Sequence, residues 1–383
     1  MSEEFEFKPM SFPPAVVARI SPELSLQRHL AIGIRPNLRK FEEFRNIEFN
    51  DGGLSRYGSD DQIKNTSVLG SSVLKSGNTT VITTITAGII EEDLPAHEIN
   101  DDAAAVNAVF AKDKTDDSNN DIPKSQLDEY ESIYPVVEVE RGRVGAPTDE
   151  EMILSQKLYE TFLHSKILSK DSLKVKVGLR SIDSQGKVDI YYKDDDDDSE
   201  DFGLGPKRSW KFVLYAKVKV FSRSGPLFDL VWASVLSALQ NTKLPRAHID
   251  ENAADIKIPV KMRGNHGTIR EQYQIICDAI SRDPLKLNNE AIGISSNFGI
   301  IDIDEESIQT LQNEDSMEID SKSILLTDIE GEEEEISSKK TISIVSDRDS
   351  KNLKSLTIIG NVSNDQLRKS FELTKFRFKH FAK

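Results

Sequence analysis

Residues 139–152 read VERGRVGAPTDEEM. Arg141 and Arg143 flank Gly142, Gly145 follows, and the next residues suit the start of a helix. Basic side chains and glycines running into a helix N-terminus can hold a phosphate, because the first N–H groups of a helix lack internal partners and point at the anion. The first helical turn here carries Asp149, Glu150 and Glu151. Those carboxylates would take the favourable end of the helix dipole for themselves and repel a bound anion. The plainer use of Arg141 and Arg143 is a surface loop in which they pair with acids such as Glu138 or Glu140. A second basic stretch holds Arg35, Arg39, Lys40 and Arg45. It can meet phosphates or an acidic neighbour, or it can be one face of an ordinary loop and strand start.

Other groupings offer less chemistry. Asp302, Asp304, Glu305 and Glu306 can hold Mg²⁺ or form a capped, solvated turn. The six histidines show no ligand spacing and Cys277 is the one cysteine, so neither a metal site nor a cofactor is expected. No nucleophile elbow is present, and the glycines near 142–145 follow neither Walker nor Rossmann spacing.

The bulk properties set limits on these readings. A chain of 383 residues with 37% hydrophobic content can build one large or two medium domains. The net charge of −16 argues against a free-standing nucleic-acid binder but leaves room for a local basic patch. The acids concentrate in 91–131, in DDDDDSED (194–201) and in GEEEEI (331–336), runs expected to be solvated loops. One cysteine fits a reducing compartment. No export signal or membrane-spanning stretch is expected.

The elements that must position these residues follow from periodicity. Ser21-Pro22 opens a helix, with Glu23 in its first turn. Val68–Leu74 and Thr79–Ile90 are joined by Ser76-Gly77-Asn78, a hairpin signal. A disordered insertion is expected over 91–131. A strand at 133–140 precedes a helix in which Thr148 and Glu151 make a capping box and Leu154, Leu158, Tyr159 and Phe162 the apolar stripe. Strands are expected at 172–182 and 211–222, then a helix over 224–240 that buries Phe228, Val231, Trp232, Val235 and Leu239. Beyond 250 come strands in IKIPVKMRG, EAIGISSNFGIIDID, KTISIVSD and SLTIIG, then a terminal helix capped by Ser363. Hairpins, paired strands and segregated helices make the class α+β.

These segments, in this order, resemble the RNase PH family. RPNLR (35–39) stands where the family has an Arg-Pro-Asp-Gly-Arg-like motif, with Asn37 and Leu38 replacing Asp-Gly. GSSVLKSGNTTVITTITAG (70–88) is similar to the family's first hairpin. SRSGPLFDLVWASVLSAL (222–239) is similar to its Gly-rich strand-to-helix segment, and PLKLNNEAIGISSNFGIIDIDEE (284–306) to the start of its second domain. The resemblance implies two α+β domains, the first of the ribosomal-protein-S5-domain-2-like type and the second a smaller RNase PH C-terminal domain. An N-terminal extension would cover 1–24. The first domain would cover 25–250, with acidic insertions near 91–131 and 193–205, and the second 251–383, with an insertion near 305–338.

Within the family, the long acidic insertions and SPELSLQRHLAIGIRP (21–36) are similar to ring subunits of the eukaryotic RNA exosome. That implies RNA, five further RNase PH-like chains in a six-membered ring, OB-fold and KH-type cap subunits and a hydrolytic nuclease at the base as partners. It also implies a nuclear, nucleolar and cytoplasmic location, without a membrane. Active members place an arginine before the helix that starts here near Thr148, and a Gly-Gly-Thr-Arg-like turn before the later helix. Here those positions read Ala146-Pro147 and Ser224-Gly225-Pro226-Leu227. Pro226 lacks the N–H that would bind an anion. No catalytic residue is therefore expected. The implied role is a non-catalytic subunit supporting 3′→5′ RNA processing and decay, with RNA contact from Arg141, Arg143, Arg35, Arg39, Lys40 and Arg45. The alternative is an active phosphate-dependent 3′→5′ exoribonuclease.

Overall fold

A computed structural model describes residues 12–55, 67–92, 129–142, 145–182, 188–192, 209–250, 275–303, 323–347 and 352–381. The expected strand IKIPVKMRG, most of the 91–131 and 193–205 insertions, Arg143, Asp304, Glu305 and Glu306 lie outside the described residues.

The chain begins with helices α1 (Pro14–Ile20) and α2 (Pro22–Ala31). A five-stranded sheet follows, built from β1 (Glu48–Asp51), β2 (Gly70–Ser76), β3 (Thr79–Glu92), β5 (Tyr134–Val139) and β9 (Ser209–Phe221). Its order is β1-β2-β3-β9-β5, antiparallel except for β5 beside β9. The expected hairpin is β2–β3, turning at Gly77 with φ +57°. Leu214, Ala216, Val218 and Val220 alternate along β9 onto the buried face, as period-two patterning requires. That face is covered by α4 (Phe228–Gln240). The helix α3 (Asp149–Ser165) packs on β5. A short pair joins β4 (Tyr130–Glu131) to β6 (Leu168–Ser169).

The second sheet has order β11-β10-β7-β8, with β7 (Val177–Ile182), β8 (Val188–Tyr192), β10 (Lys243–Asp250) and β11 (Ile275–Pro284). The sequence reading missed β8, β10 and β11. The third sheet has order β13-β12-β14-β15, with β12 (Gly293–Asp302), β13 (Ser323–Thr327), β14 (Lys340–Asp347) and β15 (Leu353–Ile359). Phe298, Ile300, Leu325, Ile342 and Ile344 pack on one face of it against Leu367 and Phe371 of α6 (Asn364–Phe381). Ser363 and Gln366 cap that helix reciprocally.

Two findings depart from the expected layout. The acidic stretch 305–338 is in part a built element, since residues 323–327 are β13 and Gly331–Ser337 form the short helix α5. Glu334 is buried there, because the Arg35 guanidinium and the Glu330 N–H meet it. Composition alone cannot show such partners. Packing also crosses the line drawn at residue 250. Leu26 and Leu30 of α2 pack with Ile301, Ile303, Ile324 and Leu326 of the third sheet. Phe44 meets Phe298 edge-on at 6.1 Å. An apolar stripe says that a helix is covered, not by what.

One core joins the front and back halves. Trp232 of α4 stacks on Phe162 of α3 at 4.4 Å and donates its indole N–H to the Gly293 carbonyl at 3.0 Å. Beside it the Arg377 Nη1 of α6 donates to the Ser295 carbonyl at 2.7 Å and lies 3.2 Å from Asp229 Oδ2. Ser295 Oγ donates to Asp229 Oδ1 at 2.6 Å. This buried pair fixes α4, β12 and α6 relative to one another.

Candidate functional site

Four segments meet in one cleft. They are the loop 32–45, the turn 222–227 between β9 and α4, the start of α3, and the turn 328–335 between β13 and α5. The chain approaches itself closely here. Gly225 has φ +80°, and a Cβ on it would lie 2.4 Å from the Ile329 carbonyl oxygen. Glycine is therefore required for the contact itself as well as for the turn. Gly331 N–H then donates to Ser224 Oγ at 3.2 Å.

The cleft is filled with paired charge. Arg35, fully buried, donates from Nε to Glu334 Oε1 at 2.8 Å and from Nη2 to Glu334 Oε2. Its remaining donors reach the carbonyls of Thr327 at 2.7 Å and Asp328 at 2.9 Å. Arg45 binds Asp328 in a fork, Nε to Oδ2 at 2.9 Å and Nη2 to Oδ1 at 2.7 Å, and its backbone N–H adds a third bond to Oδ2 at 2.9 Å. Arg39 donates to Glu330 Oε2 at 2.9 Å. Arg223 joins three elements, with Nε to Glu150 Oε1 at 2.8 Å and Nη1 to Glu335 Oε2 at 2.9 Å. The Glu335 hydrogen bonds hold the Arg223 guanidinium above its ordinary value, so it stays charged. Arg141 donates to the other oxygen of Glu150 at 3.1 Å.

The start of α3 is closed in the same way. Glu151 accepts from the Thr148 N–H at 2.6 Å, the Thr148 hydroxyl at 2.8 Å and the Val139 N–H at 2.7 Å. These bonds, the Thr148 backbone first, hold its carboxyl below the usual range. An internal carboxylate thus sits where an anion would bind.

Of the residues chosen from sequence, the structure gathers Arg35, Arg39, Arg45 and Arg141 around this cleft. Arg35 and Arg45 are corrected as direct RNA contacts, because both are buried and bonded to carboxylates. Arg39 is half-buried, and burial lowers its guanidinium below the ordinary value. Lys40 is exposed, and its N–H donates to Glu43. Asp302 binds Lys340 at 2.8 Å. Sequence reasoning missed Arg223, Asp328, Glu330, Glu334 and Glu335. The available signal was Arg223 beside the Ser224-Gly225 turn, and an acidic run placed directly after the apolar strand ILLTDI (324–329).

Asp328 makes the cleft sensitive to acid. Burial opposes its ionisation, but the hydrogen bonds and charge of Arg45 prevail and hold the carboxyl at about 2, against an ordinary 3.8. The folded value lies below the unfolded one, so the contribution is fully present above about pH 4 and is lost as the pH falls through about 2. A difference of that size corresponds to about 2 kcal/mol. Urea unfolding between pH 5 and pH 2 is expected to show this loss, and Asp328→Asn to remove most of the decline that this group causes.

The fold and the cleft define an α+β protein in which buried arginines are paired with the chain's own carboxylates. Residues 43–245 match RNase PH, described as "3′ exoribonuclease family, domain 1". This is more than half of the chain, and the chain belongs to that family. It is similar to the "Exosome complex component rrp43" of Schizosaccharomyces pombe, 24% identical over 248 residues. The match covers 64% of this chain and 66% of that protein, just under two thirds of the relative's length. The solved "Archaeoglobus fulgidus exosome with RNA bound to the active site" contains a chain with the same fold. It superposes with a TM-score of 0.51 at 13% identity, covering 96% of this chain and 98% of that one.

Proposed function

We propose that this chain is a non-catalytic structural subunit of an RNA exosome ring, shaping an RNA channel for 3′→5′ processing and decay. The observation that carries the reading is the cleft. Phosphorolysis must hold inorganic phosphate against a phosphodiester, so it needs positive charge that is free to receive two anions. Here Arg35, Arg39, Arg45, Arg141 and Arg223 each have a carboxylate partner within the chain. Pro226 and Leu227 stand where a hydroxyl and a further arginine would serve. The family's grip has become an internal fastener.

Under this reading the partners are the other RNase PH-like ring chains, OB-fold and KH-type cap subunits and a base nuclease, in nucleus, nucleolus and cytoplasm. Among the described residues, Lys40 and Arg141 are the chosen cations with enough exposure to meet RNA backbone. Mass spectrometry of the complex purified through the tagged endogenous protein is expected to find five further RNase PH-like chains at equal stoichiometry. The pure full chain is expected to release no nucleoside diphosphate from RNA when phosphate is added. Purification as a homo-oligomer with phosphate-dependent release would establish the active exoribonuclease instead.

A further inference from the structure

Lys157 of α3 is a cation that the cleft does not use. It is half-buried and reaches across to the third sheet, where its Nζ donates to Ser343 Oγ of β14 at 3.2 Å. The same Nζ stands 4.2 Å from the centre of the Phe228 ring, at the start of α4. Among the described residues no carboxylate lies within ion-pair distance of it. The acids on the elements that border α3 are engaged elsewhere. Asp229 of α4 is bound by Ser295 and Arg377, and Asp347 of β14 by Lys354 of β15. Glu131 of β4 meets Lys211, and Glu138 of β5 meets Lys217 and Lys219.

This setting decides the chemistry of the amine. An ammonium in the seam has lost part of its water and receives in return a ring face and one hydroxyl, both weaker than a carboxylate. Burial accordingly pushes Lys157 below its ordinary value, and the charge of Asp229 opposes that shift only in part. Lys219 is the opposite case. Its side chain is 41% exposed, and hydrogen bonds from it to Glu140 and Glu138 hold it above its ordinary value. In the neutral form Lys157 can still donate one N–H to Ser343, which leaves the nitrogen lone pair turned away from the hydroxyl. A desolvated lysine held in this way is an activated nucleophile.

We infer that Lys157 is an acylation site, whose amine takes an acetyl group from a small neutral thioester. The nitrogen lone pair attacks the thioester carbonyl carbon. The C–N bond forms, the C–S bond breaks, and the thiol leaves with the proton that nitrogen gives up. A neutral donor suits the site, because the chain's net charge of −16 repels anionic acyl donors. The product amide keeps one N–H for Ser343 but carries no charge for the Phe228 ring to hold. Acetylation therefore removes the cation–π contact between α3 and α4.

The test treats the full chain near neutral pH with a limiting amount of N,S-diacetylcysteamine, a small acetyl thioester. The chain is then unfolded and its remaining amines are capped with deuterated acetic anhydride. Mass spectrometry of the peptides reads the light-to-heavy ratio at each lysine. Lys157 is expected to be acetylated about tenfold faster than Lys219. It is also expected to outpace Lys75, an exposed lysine of β2. Raising the pH is expected to narrow the gap, since Lys157 becomes fully neutral first. Unfolding the chain in urea before the thioester is added is expected to abolish the gap, because α3, β14 and α4 no longer meet. Labelling of Lys157 no faster than that of Lys75, or an advantage that persists in urea, overturns the inference. So does a Lys157 that the reagent fails to reach. These comparisons need no variant, and they stand whether or not the chain is a ring subunit.

Discussion

Replacing Arg45 with methionine is expected to lower the free energy of unfolding by about 3–5 kcal/mol, the cost of breaking a buried ion pair from one side. Methionine keeps much of the apolar stem but removes every donor that Asp328 receives from the side chain. The carboxylate would remain 1% exposed, with only Arg39 Nη1 at 3.6 Å and the residue-45 N–H left to meet its charge. It cannot swing to solvent, because Asp328 is pinned by its backbone: its N–H donates to the Asn297 carbonyl at 2.9 Å, and its carbonyl accepts from Arg35 and Arg39. The residue also has φ +49°, a left-handed conformation that asparagine tolerates and most side chains do not. The informative second change is therefore Asp328→Asn. The double variant is expected to recover most of the loss, since removing both charges leaves no bare ion. Urea unfolding followed by circular dichroism at pH 7 measures all three variants. A double variant no more stable than Arg45→Met would show that Arg45 acts through its bond to the Ser224 carbonyl and its packing instead.

This arrangement explains what could be read from the residues alone. The hairpin β2–β3, the strand β9 and helix α3 announce themselves by the spacing of their buried residues, and α4, buried almost all round, by a dense apolar run. The capping box at Thr148 is equally local. The buried state of Arg35 is not local. Its partner Glu334 lies 299 residues away, and only the third sheet brings them together. Four consecutive glutamates have the composition of a solvated loop, and nothing within residues 332–335 distinguishes Glu334, which is buried, from its neighbours. Strands β10 and β11 were missed for a related reason: LPRAHID interrupts its apolar residues with Pro245, Arg246 and His248, and its ladder partner lies beyond a long intervening segment. The basic stretch 35–45 reads, from the residues alone, either as a contact for phosphates or an acidic neighbour or as an ordinary loop face. In the fold Arg35, Arg39 and Arg45 meet the chain's own acids, which residue types alone cannot reveal.

Trp232→Ala is expected to cost about 3–5 kcal/mol, the range for removing a large aromatic side chain from a packed core. Three losses coincide at this position. The indole is 1% exposed, Phe162 of α3 loses its stacked neighbour, and the Gly293 carbonyl of β12 loses its donor. The first belongs to α4 itself and the other two to different layers, so the side chain ties the front sheet to the back one. Gly293 allows no compensating shift by strand replacement, because a Cβ there would meet the Ser346 carbonyl oxygen at 2.3 Å. Trp232→Phe separates the terms: it keeps an aromatic ring against Phe162 and gives up the hydrogen bond, so it is expected to cost about 1–3 kcal/mol, the penalty for a buried acceptor left unmade. In both variants Trp210 reports from β9, while backbone circular dichroism reports from the whole chain. Because the core around Trp232 is continuous with Val345 of the third sheet, the two signals are expected to change at one urea concentration. If Trp210 instead unfolds at higher urea than the bulk signal, the two halves are separable. The ion-paired cleft, rather than the shared apolar core, would then be what holds them together.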